Sequence, residues 1–157
     1  MRVGLGYDSH RFAAGRPLVL GGQRIPHEMG LAGHSDADAV AHAVTDALLG
    51  AAAAGSIGDL FPESDPQWQG ADSMALLRRA VTLVQERGFR AAQADITVIC
   101  EAPRLAAHAS RIADAVADAI GSGAGTVGVK AKTNEGMGFI GRGEGLAVIA
   151  LVTVEAR

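Results

Sequence analysis

Two short stretches concentrate metal-ligand chemistry in a chain of 157 residues that holds only five histidines. One is Asp8-Ser9-His10; the other runs His34-Ser35-Asp36-Ala37-Asp38-Ala39-Val40-Ala41-His42. Side chains along a strand alternate with a period of two, so Asp8 and His10 share one face. A helix starting at Asp36 carries His42 about one and a half turns in. Asp8, His10 and His42 would then offer one carboxylate oxygen and two imidazole nitrogens. Three protein ligands with a fourth position open are the pattern of a catalytic zinc site.

Local structure explains part of this pattern without any metal. An i, i+2 polar pair is ordinary at a strand end, and Ser35-x-x-Asp38 before an apolar periodic run is a helix-capping signal. The acidic residues at 36 and 38 also suit the positive end of a helix dipole. Capping leaves His42 unexplained, an imidazole on an Ala-rich helix whose other faces are apolar. Asp46, one turn further on, either holds the second ring nitrogen of His42 or is a solvated carboxylate.

A second cluster reads Val129-Lys130-Ala131-Lys132-Thr133-Asn134-Glu135, followed by a tract with glycine at 136, 138, 141, 143 and 145. Glycines let backbone N–H groups approach an anion, and Lys132, Thr133 and Arg142 add donors for phosphate. Glu135 beside phosphate donors makes sense with a divalent ion between them. The spacing is neither a Walker A loop nor a dinucleotide fingerprint, and glycine tracts are also ordinary loop punctuation.

The elements that must position these residues alternate along the chain. Strands are predicted over 2–9, 92–100, 126–133 and 146–154, with a hairpin over 18–25 around Gly21-Gly22. Helices are predicted from 36 to about 54, over 71–87 and over 104–120, the last two ending before Gly88 and Gly121. Stretches 55–70 and 134–145 read as loops, where function tends to sit. Hairpin and crossover connections together suggest an α+β fold, a ferredoxin-like two-layer sandwich with a mixed β-sheet and helices on one face. At 48% hydrophobic and 20% charged residues, the uncovered sheet face would be a large apolar patch, so an oligomer is expected.

Length and charge narrow the class further. The chain is expected to form one domain over 1–157. Fourteen Lys and Arg against 17 Asp and Glu give no basic surface for nucleic acid. The single Cys100 permits no intrachain disulfide and fits a reducing compartment. With no leader pattern and no apolar run near membrane-spanning length, the expected location is cytoplasmic, without membrane contact. Cys100 reads as a small buried hydrophobe, and His27 and His108 as ordinary surface or packing residues.

Gly6-Tyr7-Asp8-Ser9-His10-Arg11-Phe12, His34-Ser35-Asp36-Ala37-Asp38 with His42, Phe61-Pro62-Glu63-Ser64-Asp65, Ala102-Pro103 and Gly138-Phe139-x-Gly141-Arg142-Gly143-Glu144-Gly145 occur in this order across almost the whole chain. In combination they resemble the 2-C-methyl-D-erythritol 2,4-cyclodiphosphate synthase family. The resemblance implies a homotrimer with its sheets facing the three-fold axis, acting in the non-mevalonate isoprenoid pathway. Its substrate would be 4-diphosphocytidyl-2-C-methyl-D-erythritol 2-phosphate and its products the cyclic diphosphate and CMP.

The same resemblance assigns roles residue by residue. Asp8, His10 and His42 match zinc ligands, and Glu135 matches the ligand of a second divalent ion, Mg2+ or Mn2+. His34 and Thr133 match residues that stabilise the transition state, and Ser35 matches a substrate-phosphate contact, with Ser9 in the same segment as the ligands. Cys100, Glu101, Ala102, Pro103, Arg104, Leu105 and Ala106, with Ala131, Lys132 and Thr133, match the cytidine pocket, and Asn134 beside them matches a substrate-binding position. Gly58, Phe61, Pro62, Glu63, Ser64 and Asp65 match the loop around the methylerythritol, with Ser56 and Ile57 beside them as substrate-binding positions. Phe139 and Arg142 match substrate or core-channel positions, where an isoprenoid diphosphate would sit on the trimer axis.

In one respect the chain departs from the family. Ser56-Ile57-Gly58 stands where Asp-Ile-Gly is common, so either Asp59 or Asp65 replaces that carboxylate or Ser56 donates directly. Two rival functions use similar residues: a zinc-dependent phosphodiesterase, which would place a metal-bound hydroxide at the phosphate, and a trimeric nucleotide-binding regulator, which would have no need of the triad.

Overall fold

The computed structural model describes residues 1–157. Its elements are β1 (Arg2–Ala14), β2 (Leu18–Leu20), β3 (Gln23–Ile25), β4 (Met29–Leu31), α1 (Ala39–Ala51), α2 (Ile57–Leu60), α3 (Ser73–Glu86), β5 (Phe89–Ile99), α4 (Ala109–Ile120), β6 (Val127–Lys132), α5 (Gly138–Gly141) and β7 (Gly145–Ala156). Short 3-10 turns occupy Pro66–Trp68 and Ala106–His108.

Five strands form one mixed sheet in the order β4-β1-β7-β5-β6, and β2 pairs with β3 in a separate hairpin. Strand β7 runs antiparallel to both β1 and β5, while β5 and β6 are parallel and joined through α4. Alternation divides the faces. Leu146, Val148, Ala150, Val152 and Val154 of β7, with Ala94, Ile96 and Val98 of β5, are buried under the helices. Val3, Leu5, Tyr7, Ile149 and Leu151 point the other way and stay exposed.

The two-layer α+β arrangement with helices on one face therefore stands, but the ferredoxin-like connectivity does not. That fold runs βαββαβ, whereas here the long strands and their covering helices run β-α-α-β-α-β-β and the last strand inserts between β1 and β5. The reason lies in the helix over 109–120, which separates two parallel strands and leaves the antiparallel return to β7.

Boundaries shift for local reasons. Helix α1 begins at Ala39 because Ala37 holds a left-handed φ of 58°, which no right-handed helix passes through. The cap is Asp38, which accepts from Val40 N at 3.1 Å and Ala41 N at 3.0 Å, so the Ser35-x-x-Asp38 capping box is corrected to a single Asp cap. Asp72 caps α3 through Met74 N at 2.9 Å. The expected loops 55–70 and 134–145 hold α2 and α5, each of four residues and thus too short to show a period. Edge strand β4, pairing Leu31 with Phe12, was not expected; three residues carry no alternation. No helix is long and apolar enough to cross a membrane.

Candidate metal centre and substrate cleft

The site depends first on how closely α1 lies on β1. A Cβ at Gly4 would sit 1.9 Å from the Ala47 carbonyl oxygen, and one at Gly6 would sit 1.9 Å from that of Ala43. Only glycine leaves room for helix backbone there. The contact sets the first turn of α1 over the next two inward residues of β1, and those are Asp8 and His10.

The three expected ligands converge. His10 Nε2 is 2.9 Å from Asp8 Oδ2, His42 Nδ1 is 3.2 Å from the same oxygen, and the two nitrogens are 3.2 Å apart. A tetrahedral zinc with ligand bonds of roughly 2.0 to 2.1 Å separates its ligand atoms by about 3.3 Å, close to this triangle. Three electron-pair donors at such spacing repel one another unless a cation or proton lies among them.

Hydrogen bonds behind the triangle fix which nitrogen faces inward. His10 Nδ1 donates to the Ala32 carbonyl at 2.6 Å, leaving Nε2 free for an ion. On the other side, the Ser73 hydroxyl donates to Asp36 Oδ1. With its single proton used there, Ser73 Oγ accepts from His42 Nε2 at 2.9 Å, which leaves His42 Nδ1 bare. Ser35 Oγ lies 3.2 Å from the same Nε2. Such partners orient metal-binding imidazoles in general.

Without an ion the triangle behaves as an ion pair. Burial works against the Asp8 carboxylate, but hydrogen bonds and charge from His10 and His42 outweigh it and lower its pKa. Burial likewise disfavours the His10 imidazolium, yet the Asp8 hydrogen bond and charge, with the Ala32 carbonyl, raise its pKa.

The triad opens into a cleft of about 160 Å³ lined by Asp8, His10, His34, Ser35, His42, Ile57, Gly58, Phe61, Glu63, Trp68 and Leu76. Every one of these but Trp68 and Leu76 was singled out from the sequence. Trp68 meets Phe61 edge-on with centroids 5.1 Å apart, and the Arg79 guanidinium covers its ring at 5.0 Å. An aromatic two residues after Pro66 in a loop flagged for function was the available signal for Trp68. Ser73 and Leu76 sit in the first turn of a helix, and nothing local marks them.

Other expected residues lie outside this cleft. Ser9 faces the opposite side of β1 and lines a separate depression with His10, Arg11, Phe139 and Glu144. Pro62 and Ser64 are exposed without lining the cleft. Asp65 caps the turn at Pro66–Trp68 by accepting from Gln67 N at 3.0 Å. Asp59 Oδ2 accepts from both the amide and the hydroxyl of Ser56 at 2.8 Å, and those bonds lower its pKa. The two residues thus close a capping box at the start of α2, and neither lines the cleft. Asp46 does not touch the His42 ring nitrogens; its Oδ1 accepts from Ile57 N at 2.7 Å, tying α1 to the cleft wall.

A second cavity, of about 350 Å³, is lined by Cys100, Glu101, Pro103, Arg104, Leu105, Ala106, Ala131, Lys132 and Thr133. It sits where the parallel strands β5 and β6 end, two to three strands across the sheet from β1. Beside it, Glu101 Oε1 accepts from Asn134 N at 2.9 Å and Gly136 N at 3.3 Å. Thr133 Oγ1 donates to Glu135 Oε1 at 3.1 Å. Ala102, Asn134 and Glu135 flank this cavity in sequence without lining it, and Arg142 pairs with Glu144 at 2.6 Å.

A family model described as the YgbB family matches residues 1–155. This chain belongs to the YgbB family. Among relatives, the 2-C-methyl-D-erythritol 2,4-cyclodiphosphate synthase of Salinibacter ruber is 51% identical over 156 residues, covering 99% of this chain and 99% of its own. The bifunctional IspDF of Campylobacter jejuni superimposes with a TM-score of 0.96 at 41% identity, covering 99% of this chain, which spans 42% of that longer one. A CDP-bound 2C-methyl-D-erythritol-2,4-cyclodiphosphate synthase superimposes at 0.89 with 39% identity, covering 98% of this chain and all of its own. Within the YgbB family, then, this chain carries the two cavities and the Asp-His-His triangle on a shared frame.

Proposed function

We propose that this chain converts 4-diphosphocytidyl-2-C-methyl-D-erythritol 2-phosphate to 2-C-methyl-D-erythritol 2,4-cyclodiphosphate and CMP, as a metal-dependent lyase of non-mevalonate isoprenoid synthesis in the cytoplasm. The observation that carries this reading is the triangle of Asp8 Oδ2, His10 Nε2 and His42 Nδ1 at the floor of a cleft, in a chain similar end to end to proteins so named. In the reaction an oxygen of the 2-phosphate bonds to the β-phosphorus and the bond to the CMP oxygen breaks. The nucleophile belongs to the substrate, so the chain's task is to position and to neutralise charge. Holding both ends in attack geometry is worth about 7 to 11 kcal/mol.

Asp8, His10 and His42 would hold zinc, and the donor set fits it: one carboxylate and two neutral imidazoles, each imidazole backed by a second partner. Glu135 would hold Mg2+ or Mn2+, which binds through one or two carboxylates and substrate phosphates. When bound, these ions polarise phosphoryl oxygens and offset charge that develops on them. His34 and Ser35, in the same cleft wall, donate to phosphate oxygens, and Thr133 does so from the second cavity. Phe61 and Trp68 close the cleft against water, which would otherwise compete for the β-phosphorus. Gly58 and the 61–65 loop face the methylerythritol, and the cavity at 100–106 and 131–133 takes the cytidine.

The metal cleft is smaller than the roughly 300 to 1,000 Å³ typical of ligand sites, and the nucleotide cavity lies across the sheet. Both facts support a site shared between subunits of a homotrimer. The exposed apolar residues Val3, Leu5, Tyr7, Ile149 and Leu151 supply the surface, with Leu5 directly opposite Leu151 and Tyr7 opposite Ile149. This sheet face would turn to the three-fold axis, with Phe139 and Arg142 beside a channel for an isoprenoid diphosphate.

Phosphorus NMR of one incubation tests the reaction. With zinc and Mg2+ present, the synthase gives the cyclic diphosphate and CMP. An open-chain phosphate would show a phosphodiesterase instead, and unchanged substrate would show a binding protein.

A further inference from the structure

Four consecutive carbonyls between β4 and α1 are each taken by a donor. That of Ala32 accepts from His10 Nδ1 at 2.6 Å, that of Gly33 from Arg16 Nη1 at 2.7 Å, that of His34 from Gly70 N at 2.8 Å, and that of Ser35 from Arg16 Nη2 at 2.6 Å. One guanidinium thus grips the backbone on both sides of His34. Arg16 lies in the β1–β2 turn and pairs with no carboxylate. Its two bonds, both charge-assisted, go to this loop.

The segment needs such a grip. Residues 32 to 38 belong to no helix or strand, and Gly33, exposed and free of a side chain, gives the backbone before His34 a wide choice of angles. A rotation there would turn the His34 ring relative to the cleft even with the His34 carbonyl held by Gly70 N and Asp36 N held by the Ala71 carbonyl. A planar fork with two parallel donors spans carbonyls i and i+2 in fixed geometry, which a lysine ammonium cannot do.

We propose that Arg16 is a positioning residue for the cyclisation: by clamping the carbonyls of Gly33 and Ser35 it sets the His34 imidazole against the reacting phosphates. The inference rests on the role given above to His34 in the proposed reaction. Arg16 bonds to none of Asp8, His10 and His42, and it meets the cleft only through the backbone carbonyl of Ser35.

The test pairs Arg16→Ala and Arg16→Lys with a second background, His34→Ala. In the otherwise native protein, Arg16→Ala lowers kcat about tenfold with KM and zinc content unchanged, and Arg16→Lys recovers part of the loss. In the His34→Ala background the same change alters kcat less than about twofold, because residues acting through one another do not add. An equal tenfold loss in both backgrounds, or no loss in the native one, overturns the proposal. A second readout needs no turnover and so separates this inference from the proposed reaction. In the 13C–1H spectrum of the histidine rings, with the His34 signal assigned by its loss in His34→Ala, Arg16→Ala shifts or broadens that signal and leaves His108 unmoved. A His34 signal identical with and without Arg16 overturns the inference even if the protein proves to cyclise nothing.

Discussion

His42 and Asp38 stand one helical turn apart and do opposite work. His42 keeps one nitrogen bare toward Asp8 and His10, so His42→Ala should remove zinc and abolish cyclisation while the far-ultraviolet spectrum stays native; metal analysis of the purified variant checks it. Asp38 is fully buried and accepts from Gly21 N at 2.8 Å, Gly22 N at 2.7 Å, Val40 N and Ala41 N. Burial pushes its pKa up to about 6, with those N–H groups pulling the other way. Asp38→Asn puts an amide NH2 against N–H donors, and urea unfolding should show a loss of about 3 kcal/mol with zinc still bound. Cys100 gives the pH dependence. Burial first, then the charge of Glu101, pushes its thiol up to about 11. Alkylation at pH 8 should therefore run about 100-fold slower than for a thiol of pKa 9 and rise tenfold per pH unit up to that value.

What could be read from the residues themselves was which three groups converge, because Asp8 and His10 are two apart and the chemistry of an imidazole on an apolar helix has few structural uses. The partners that make the set work were not legible. Ser73 reaches His42 across 31 positions and Asp36 across 37, and Arg16 reaches Ser35 across 19. Hydroxyl and guanidinium contacts at that separation leave no periodic trace.

Among the elements, the long strands and helices were recovered because burial imposes periods of two and 3.6 on them. The connectivity was not legible, because hairpin and crossover signals do not say where the last strand inserts. The glycines of β1 carried information that the strand reading did not use: alternation put Gly4 and Gly6 on the buried face, where a strand normally places bulk. The closeness of α1 explains them. Gly6→Ala should cost about 3 kcal/mol, since the methyl meets helix backbone that cannot relax alone. It should also weaken zinc binding by displacing His42, although residue 6 touches no ligand. Unfolding and zinc titration of the variant check both, and a variant that unfolds normally with native affinity would show that α1 tolerates a wider spacing.

For the whole molecule, the composition leads to the expectation that a sheet with one bare face takes a partner, and the exposed Leu5–Leu151 and Tyr7–Ile149 pairs are where the proposed trimer would close. Cyclic trimers make head-to-tail contacts, so each complete site would join the metal cleft of one chain to the nucleotide cavity of the next. The measurement that bears most directly on this account mixes two inactive variants, His42→Ala and Thr133→Ala, unfolds them and refolds them together in equal amounts. Random assembly gives about three quarters mixed trimers, and each mixed ring has one interface of three that unites two intact halves. Activity should return to about one quarter of the native level, with each variant refolded alone remaining inactive. If native mass spectrometry shows mixed trimers yet activity stays at the level of the separate variants, the site lies within one subunit and the shared-site account is wrong.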